Sequence, residues 1–240
     1  VILTAKVLNK VFDYAINNTG VIQAAKVENH DGVIELLAEG APIINSGSLI
    51  AGQIEVNAPD TGFINIGKII TDGSQSLPNG GLVNISAGTI LQQGLISANA
   101  QEFGTAGEIA IVSETSTTLD SASTTEARAL GWIGNGGRIL IDSKGGNTLV
   151  NTNAVIDVSA GAISGNAGYI EVSAFDQLGF YGVLNGRAPP GNLGATILFD
   201  PTNIIIQTAG GSSVTPPVYY VDSPTDLTIN PASLESFIGT

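Results

Sequence analysis

The feature that most constrains the fold of this chain is a recurring phrase, in which a glycine precedes a short strand of alternating apolar and polar residues. The phrase occurs seven times, as Gly32-VIELLA, Gly62-FINIG, Gly81-LVNISA, Gly107-EIAIVS, Gly137-RILIDS, Gly168-YIEVSA and Gly194-ATILFD. Successive glycines are 30, 19, 26, 30, 31 and 26 residues apart. Internal similarity at such periods is typical of solenoids and propellers.

A second glycine-rich phrase with an apolar pair lies between these strands. It is found at 17–24, 45–52, 91–100, 152–161 and 180–186. Each unit therefore has at least two short strands separated by Gly, Asn and Asp. Propeller blades need four strands and usually carry aromatic markers, and these units are shorter. The repeat predicts an all-β parallel β-helix, a solenoid with coils of roughly 19–31 residues.

The alternation within each strand predicts which side chains are buried. Ile170 and Val172 are expected to point inwards, and Glu171 outwards. When successive units stack, the inward positions form aliphatic ladders, and stiff β-branched side chains suit such packing. The expected ladder pairs are Val83/Ile85, Ile109/Ile111, Ile139/Ile141 and Ile170/Val172.

Two organisational units are predicted. Residues 1–195 form the repeat shaft, and the Ser/Thr-rich stretch 113–131 interrupts its apolar rhythm. We interpret that stretch as a surface excursion with a helical turn at 125–130, serving either binding or inert surface. Residues 196–240 form an Asp-Pro strand segment, a proline-rich connection and a short helix that begins at Asn230 and Pro231. The chain is expected to be a piece of a longer polypeptide.

Charge and composition exclude several classes of function. The chain carries 21 acidic and 8 basic residues, a formal net charge of −13, and no Lys/Arg cluster. Nucleic-acid binding and docking on anionic lipid both require such clusters. The absence of cysteine excludes disulfides and thiolate metal sites.

The search for catalytic residues finds few candidates. The single histidine, His30, lies in a polar turn without metal-ligating partners. Outward carboxylates at Asp142, Asp157, Glu171 and Asp176 are the candidates for a polysaccharide-active β-helix enzyme, of pectate-lyase-like or glycosidase-like type. They fall on different strands or coils, and no compact acidic string joins them. We therefore predict no catalytic, cofactor or metal site, with such an enzyme as the alternative.

Aromatic residues are considered separately because exposed aromatic rows bind sugars or bases. Phe175, Phe180 and Tyr181 lie close together in the sequence. No series of aromatics aligned from coil to coil is evident around them. Core or capping contacts are therefore favoured for these three side chains.

Two stretches carry a resemblance to a known family. The segment GNAGYIEVSAFDQLGFYGVLNGRAPPGNLGATILFDPTNIII resembles the repeat and LxDPxNI segment of filamentous-haemagglutinin-like exoproteins of two-partner secretion systems. NNTGVIQAAKVENHDGVIELLAEG is similar to their recurring units, although the string Leu198–Ile204 is the more specific part. The resemblance implies a right-handed parallel β-helix, exported through an outer-membrane transporter of a Gram-negative-type bacterium. The family's N-terminal secretion domain is not visible, so the segment is interpreted as downstream shaft.

The expected function is that of a secreted or cell-surface adhesive shaft without catalytic activity. Such a shaft would support cell adhesion, biofilm or extracellular fibre formation. Its expected partners are the export transporter and a receptor or glycan on host cells, matrix or neighbouring cells, with no nucleic acid. End-to-end homo-assembly through open strand edges is a further hypothesis.

Overall fold

The computed structural model describes residues 1–7, 13–24 and 32–200, together with strand backbone at 203–206, 212–213 and 226–230. Regular structure in these residues is strand throughout, and they contain no helix long and apolar enough to cross a membrane. The strands are β1 (Ile2–Lys6), β2 (Ile16–Asn18), β3 (Val21–Gln23), β4 (Val33–Glu39), β5 (Ile43–Asn45), β6 (Ser48–Ile50), β7 (Gln53–Asn65), β8 (Lys68–Ile70), β9 (Leu82–Gln92), β10 (Leu95–Ser97), β11 (Glu108–Leu119), β12 (Thr124–Glu126), β13 (Arg138–Ser143), β14 (Asn147–Val150), β15 (Val155–Asp157), β16 (Tyr169–Ala174), β17 (Leu178–Phe180), β18 (Val183–Asn185), β19 (Thr196–Asp200), β20 (Asn203–Ile206), β21 (Ser212–Ser213) and β22 (Asp226–Asn230).

The strands stack in parallel on three faces, and each coil passes once along each face. The first face contains β1, β4, the first halves of β7, β9 and β11, and then β13, β16 and β19. The second contains β2, β5, the second halves of β7, β9 and β11, and then β14 and β17. The third is β3-β6-β8-β10-β12-β15-β18. The predicted parallel β-solenoid is confirmed.

The interior is built from the predicted aliphatic ladders. Ile109 pairs with Val83 on one side and with Ile139 on the other, and Ile139 pairs with Ile170. Every predicted ladder residue has at most 2% of its surface exposed. The outward neighbour Glu171 is half-buried. Alternation alone therefore identified the core of the first face.

Two predicted repeat glycines were wrong. Gly194 lies one residue too early, because Thr196 pairs with Tyr169 and Ala195 therefore holds the position of Gly168. The other is Gly62. The strand register pairs Val33 with Gln53 and Gln53 with Leu82, so Gly52 begins this coil and the two steps are 20 and 29 residues. Gly62 lies within β7, at the start of its second-face half. The error arose because Phe63 and Asn65 point inwards with the same alternation as a first-face strand.

The predicted excursion at 113–131 was also wrong up to residue 126, and only residues 127–131 leave the faces, at the start of the segment between β12 and β13. Its first part continues β11 to Leu119, and Thr124–Glu126 forms β12 within the third face, with no helical turn at 125–130. Hydroxyl groups replace apolar groups inside this coil. Thr117 donates to Ser113 over 2.9 Å, and Ser113 donates to Ser143 of the next coil over 3.0 Å. These buried groups satisfy one another, so the apolar rhythm can lapse while the solenoid continues.

A buried amide ladder lies at the end of the second face. Asn18 donates to Asn45, Asn45 donates to Asn65, and Asn65 donates to Gln92, over 2.7, 2.8 and 2.7 Å. These side chains are buried, so each bond replaces hydration that the interior cannot supply. In the next three coils the same position is apolar and is occupied by Leu119, Val150 and Phe180.

Glycines form the corner that leads into the first face. A Cβ atom placed on Gly81, Gly107, Gly137 or Gly168 would lie 1.9–2.1 Å from the carbonyl oxygen of the glycine one coil earlier. No side chain fits at that distance, so these four coils require glycine at the corner, whereas the last coil has Ala195 at the position of Gly168. This close approach explains why the glycine of the repeat recurs immediately before these strands.

The C-terminal unit begins within the solenoid. In β19, Thr196 pairs with Tyr169 and Asp200 pairs with Ser173, which adds a further strand to the first face. The proline-rich connection and the helix predicted from Asn230 lie outside the described residues, as does His30.

Candidate functional site

The most distinctive surface feature is a set of arms that project between the third and first faces. The arms comprise residues 71–81, 98–107, 127–137, 158–168 and 186–195. Each arm folds back on itself; for example, Gly107 N–H donates to Ala98 O over 2.7 Å. Only residues 51 and 52 separate β6 from β7, which accounts for the short coil of 20 residues.

The arms stack on one another through backbone hydrogen bonds. The amide of Phe103 donates to Ile133 O over 2.8 Å, and the amide of Ile163 donates to Trp132 O over 2.7 Å. The amide of Gln101 donates to Pro78 O over 2.8 Å in the preceding arm. The tips are therefore one continuous platform and not independent loops.

All five arms expose large apolar side chains; the third exposes Leu130 and Ile133 as well as Trp132, and the fifth exposes Leu193. The most exposed one in each of the first four arms contributes to a row along the tips. We call this row the ridge, and it consists of Leu77, Phe103, Trp132 and Ile163, which are 44%, 74%, 64% and 62% exposed. The first two lie four residues before the corner glycine of their coil, and the last two lie five residues before it. In the register of the arms Phe103 lies opposite Ile133, and Trp132 lies opposite Ile163. Exposed apolar side chains gathered on one surface are a common mark of a binding surface.

Phe103 has a left-handed backbone with φ of 65°. That conformation costs a residue other than glycine about 1–2 kcal/mol. The phenyl group does not recover this cost through core packing, because most of it is exposed to solvent. An exposed aromatic residue held in a strained conformation is a reason to assign a function to the ridge.

A carboxylate fixes the backbone next to Phe103. Glu102 accepts hydrogen bonds from the amides of Trp132 and Ile133, over 2.8 and 3.1 Å. Charge-assisted bonds of this type are stronger than neutral ones. Glu102 thereby positions the arm that carries Trp132.

An uncharged polar row runs beside the ridge on the returning legs of the arms. This polar row contains Asn79, Thr105, Asn135 and Asn166, all of which are exposed. Asn79 accepts from the amide of Thr105 over 2.9 Å, and Asn135 accepts from the amide of Asn166 over 2.9 Å. The row therefore follows the axis from coil to coil, as the ridge does.

An open groove of about 800 Å³ separates the arms from the first face. Its floor contains glycines of the corner, and Gln53, Glu108 and Arg138 line its first-face side. Arg138 lies 3.7 Å from Glu108 and 3.5 Å from Glu171, and its guanidinium stands 4.8 Å from the ring centroid of Tyr169.

The neighbourhood of Tyr169 is electrostatically coupled. Burial raises the pKa of Tyr169 to about 12, and its hydrogen bond to Glu171 acts in the same direction. The phenol therefore stays protonated at neutral pH, and its hydroxyl donates to the Glu171 carboxylate over 3.0 Å. This arrangement holds a neutral phenol and does not create a nucleophile.

The candidate carboxylates do not converge on one site. Asp142 and Glu171 lie on neighbouring strands of the first face, and burial raises the pKa of Asp142, with opposition from Lys144. Asp157 lies on the third face, 3.9 Å from Arg128, and Asp176 lies between the first and second faces. Among the described residues no three His, Asp or Glu side chains are placed to hold a metal ion.

The aromatic residues divide differently from the prediction. Phe180 is buried and meets Phe199 edge to face, with ring centroids 5.3 Å apart. Phe175 and Tyr181 are exposed instead. The ridge residues Phe103 and Trp132 were missed, although their nearly constant offset of four or five residues before the corner glycines was a usable signal.

No protein-family model matches this chain, and comparison with curated proteins and with solved structures gives no match either. The resemblance to filamentous-haemagglutinin-like exoproteins thus depends on the repeat units and the string at Leu198–Ile204.

Proposed function

We propose that the chain is part of a secreted or cell-surface adhesive shaft that binds through its stacked arms. The observation that carries this proposal is the ridge, in which Leu77, Phe103, Trp132 and Ile163 are displayed by successive arms. A soluble protein gains nothing in stability from large apolar side chains left in water. Their alignment on a hydrogen-bonded platform is what a binding surface requires.

The solenoid suits a shaft because its contacts are made between neighbouring coils. Each coil buries its apolar side chains against the next, so the stability of such an array is approximately a sum over coils and interfaces. Added coils lengthen the shaft without a new core. Folding coil upon coil can also proceed outside the cell after passage through an outer-membrane transporter, the route that the resemblance implies.

The proposal is tested on bacteria that carry the gene. Antibodies against residues 32–200 should detect the protein on intact cells or in culture medium, and protease added to intact cells should remove the surface signal. Beads coated with the purified chain should adhere to host cells, matrix or neighbouring bacteria better than albumin-coated beads.

Two results would contradict the proposal. One is protection of the protein from protease until the cells are lysed, together with its absence from the medium. The other is release of sugars from uronate polymers by the purified chain with turnover, which would favour the polysaccharide-active enzyme. A matched assay with heat-denatured protein excludes contaminating activity from the second result.

A further inference from the structure

We infer that the ridge and the polar row together bind a neutral linear polysaccharide that lies along the solenoid axis. This inference rests on the proposed function, since it names the ligand class that the adhesive shaft would recognise. The spacing of the arms, the chemistry of the two rows and the charges around them support it.

The spacing of the arms suits a polymer of sugars. Neighbouring strands in a sheet are about 4.8 Å apart, and the ridge presents one apolar side chain per coil at Phe103, Trp132 and Ile163. That repeat is comparable to the length of one pyranose ring. A linear polysaccharide along the axis could therefore meet the ridge at successive sugar units.

The chemistry of the two rows fits the two kinds of surface on a sugar. The C–H face of a pyranose packs against aromatic rings such as those of Phe103 and Trp132, which combine large apolar area with a defined geometry. The Oδ1 atoms of Asn135 and Asn166 already accept from the backbone amides of Asn166 and Leu193, which leaves their side-chain N–H groups to donate to sugar hydroxyl groups. The two rows run side by side along the same axis, as one polymer would need.

The surrounding charges favour a neutral ligand. Arg128, at the base of an arm, lies 3.0 Å from Glu126 and 3.9 Å from Asp157, so its charge is already neutralised. Arg138 is flanked by Glu108 and Glu171. In a chain of net charge −13, a sulfated, phosphorylated or uronate polymer would be repelled at long range.

A second copy of the chain is a weaker candidate for this surface. A stable protein interface uses roughly 20–30 residues on each side, and the ridge is a narrow row of four side chains. Two copies would each bring a net charge of −13 to the contact. A polysaccharide needs only a narrow track, which is what the arms provide.

The binding surface is organised before the ligand arrives. The tips are joined by backbone hydrogen bonds, and Glu102 holds the amides of Trp132 and Ile133. A surface already ordered in the free protein loses less conformational entropy on binding. The strain at Phe103 is likewise present in the free protein, so it is not added on binding.

Trp132 makes the test direct because it is the single tryptophan of the chain. Its fluorescence is recorded during titration with hydroxyethylcellulose, xylan and a linear β-1,3-glucan, and with alginate as the anionic probe. With a neutral polymer we expect a saturable change in Trp132 emission. The change should persist in about 0.5 M NaCl, because salt screens interactions between exposed charges and the binding of a neutral polymer does not depend on them. Alginate should give no change.

Variants then locate the contact by affinity electrophoresis in gels that contain the neutral polymer. Phe103→Asn retains a residue that tolerates the left-handed backbone, so the arm should keep its fold. We expect it and Trp132→Ala each to weaken binding by about tenfold or more. The control is Phe175→Asn, which changes another largely exposed phenylalanine, between the first and second faces, and should bind as the wild type does.

Several outcomes would overturn the inference. They are preferential binding of alginate with strong salt dependence, equal losses in Phe103→Asn and Phe175→Asn, or no binding of any polymer by folded protein. Sedimentation that shows a dimer abolished by Phe103→Asn would assign the ridge to a second copy. Surface exposure and bead adhesion are measured independently, so failure of polysaccharide binding is distinguishable from failure of the proposed shaft function.

Discussion

Replacing Asn65 by alanine should reveal how much the buried amide ladder contributes to stability. The substitution removes the Asn65 donor from Gln92 Oε1, the Asn65 acceptor from Asn45 Nδ2, and a longer bond of 3.3 Å from Asn65 Nδ2 to Leu95 O. Asn45 Nδ2 retains a hydrogen bond to Lys68 O at 3.2 Å, so its loss is partial. Gln92 Oε1 loses the donor that lies 2.7 Å away.

The expected magnitude follows from these losses. A buried polar atom left without its partner costs about 1–3 kcal/mol. Gln92 Oε1 loses its donor, and Asn45 Nδ2 keeps only its bond of 3.2 Å to Lys68 O. We therefore expect the free energy of unfolding to fall by about 2–4 kcal/mol. The loss should be concentrated in the coils that contain Asn45, Asn65 and Gln92.

The assay is urea denaturation followed by circular dichroism, combined with native-state amide hydrogen exchange to locate the weakened coils. Asn57→Ala is the matched control, because Asn57 lies on the same strand with its side chain exposed. Its expected change is within about 0.5 kcal/mol. Equal effects of the two substitutions, or exchange that increases uniformly along the chain, would refute the reasoning.

Three further predictions concern the interior, a corner and a surface acid. Thr125→Val should stabilise the folded protein by about 1–2 kcal/mol, because the Thr125 hydroxyl is buried without a hydrogen-bond partner. Thr148→Val should destabilise it by a similar amount, because the Thr148 hydroxyl donates to Ser143 Oγ over 2.7 Å. Urea midpoints that shift in the same direction in both variants would contradict this. Gly107→Ala should destabilise the protein by about 3 kcal/mol or more, since the added Cβ would lie 1.9 Å from Gly81 O. Gly20→Ala, which has open space around it, should raise stability by at most about 1 kcal/mol in the same measurement. Asp142→Asn should stabilise the protein at pH 7, because burial raises the pKa of Asp142 in the folded state and so makes its charged form unfavourable there. The stability difference between variant and wild type should shrink as the pH falls towards 4, where Asp142 becomes protonated. A difference in urea midpoint that stays constant with pH would count against this.

The solenoid could be predicted from sequence because its rules are local. Period-two alternation identifies inward residues such as Ile139 and Ile170, and a corner without room for Cβ keeps glycine at Gly107 and Gly137. Both signals recur in successive coils, so they reinforce one another. The predicted placement of Gly62 at the start of a first-face strand was wrong, because a second-face strand has the same alternation of apolar and polar residues. Only the pairing of strands distinguishes the two faces.

Interactions between coils were harder to predict. Some of the polar residues at 113–131 point inwards, and their burial depends on hydrogen-bond partners in other coils. Ser113, for example, bonds to Ser143, which lies 30 residues away in the sequence. The ridge depends on how arms of unequal length align, which no single unit reveals. Phe103 lies against the next arm only because its N–H bonds to Ile133 O there.

The parallel stacking of coils has a mechanical consequence for anything attached to the arms. Strand-to-strand hydrogen bonds point along the axis, so a pull in that direction loads one coil-to-coil seam after another. A coil that peels away releases its own 20–31 residues, which is roughly 65–110 Å of extended chain. A solenoid built this way is expected to lengthen in steps under tension and to dissipate force while the remaining coils stay folded.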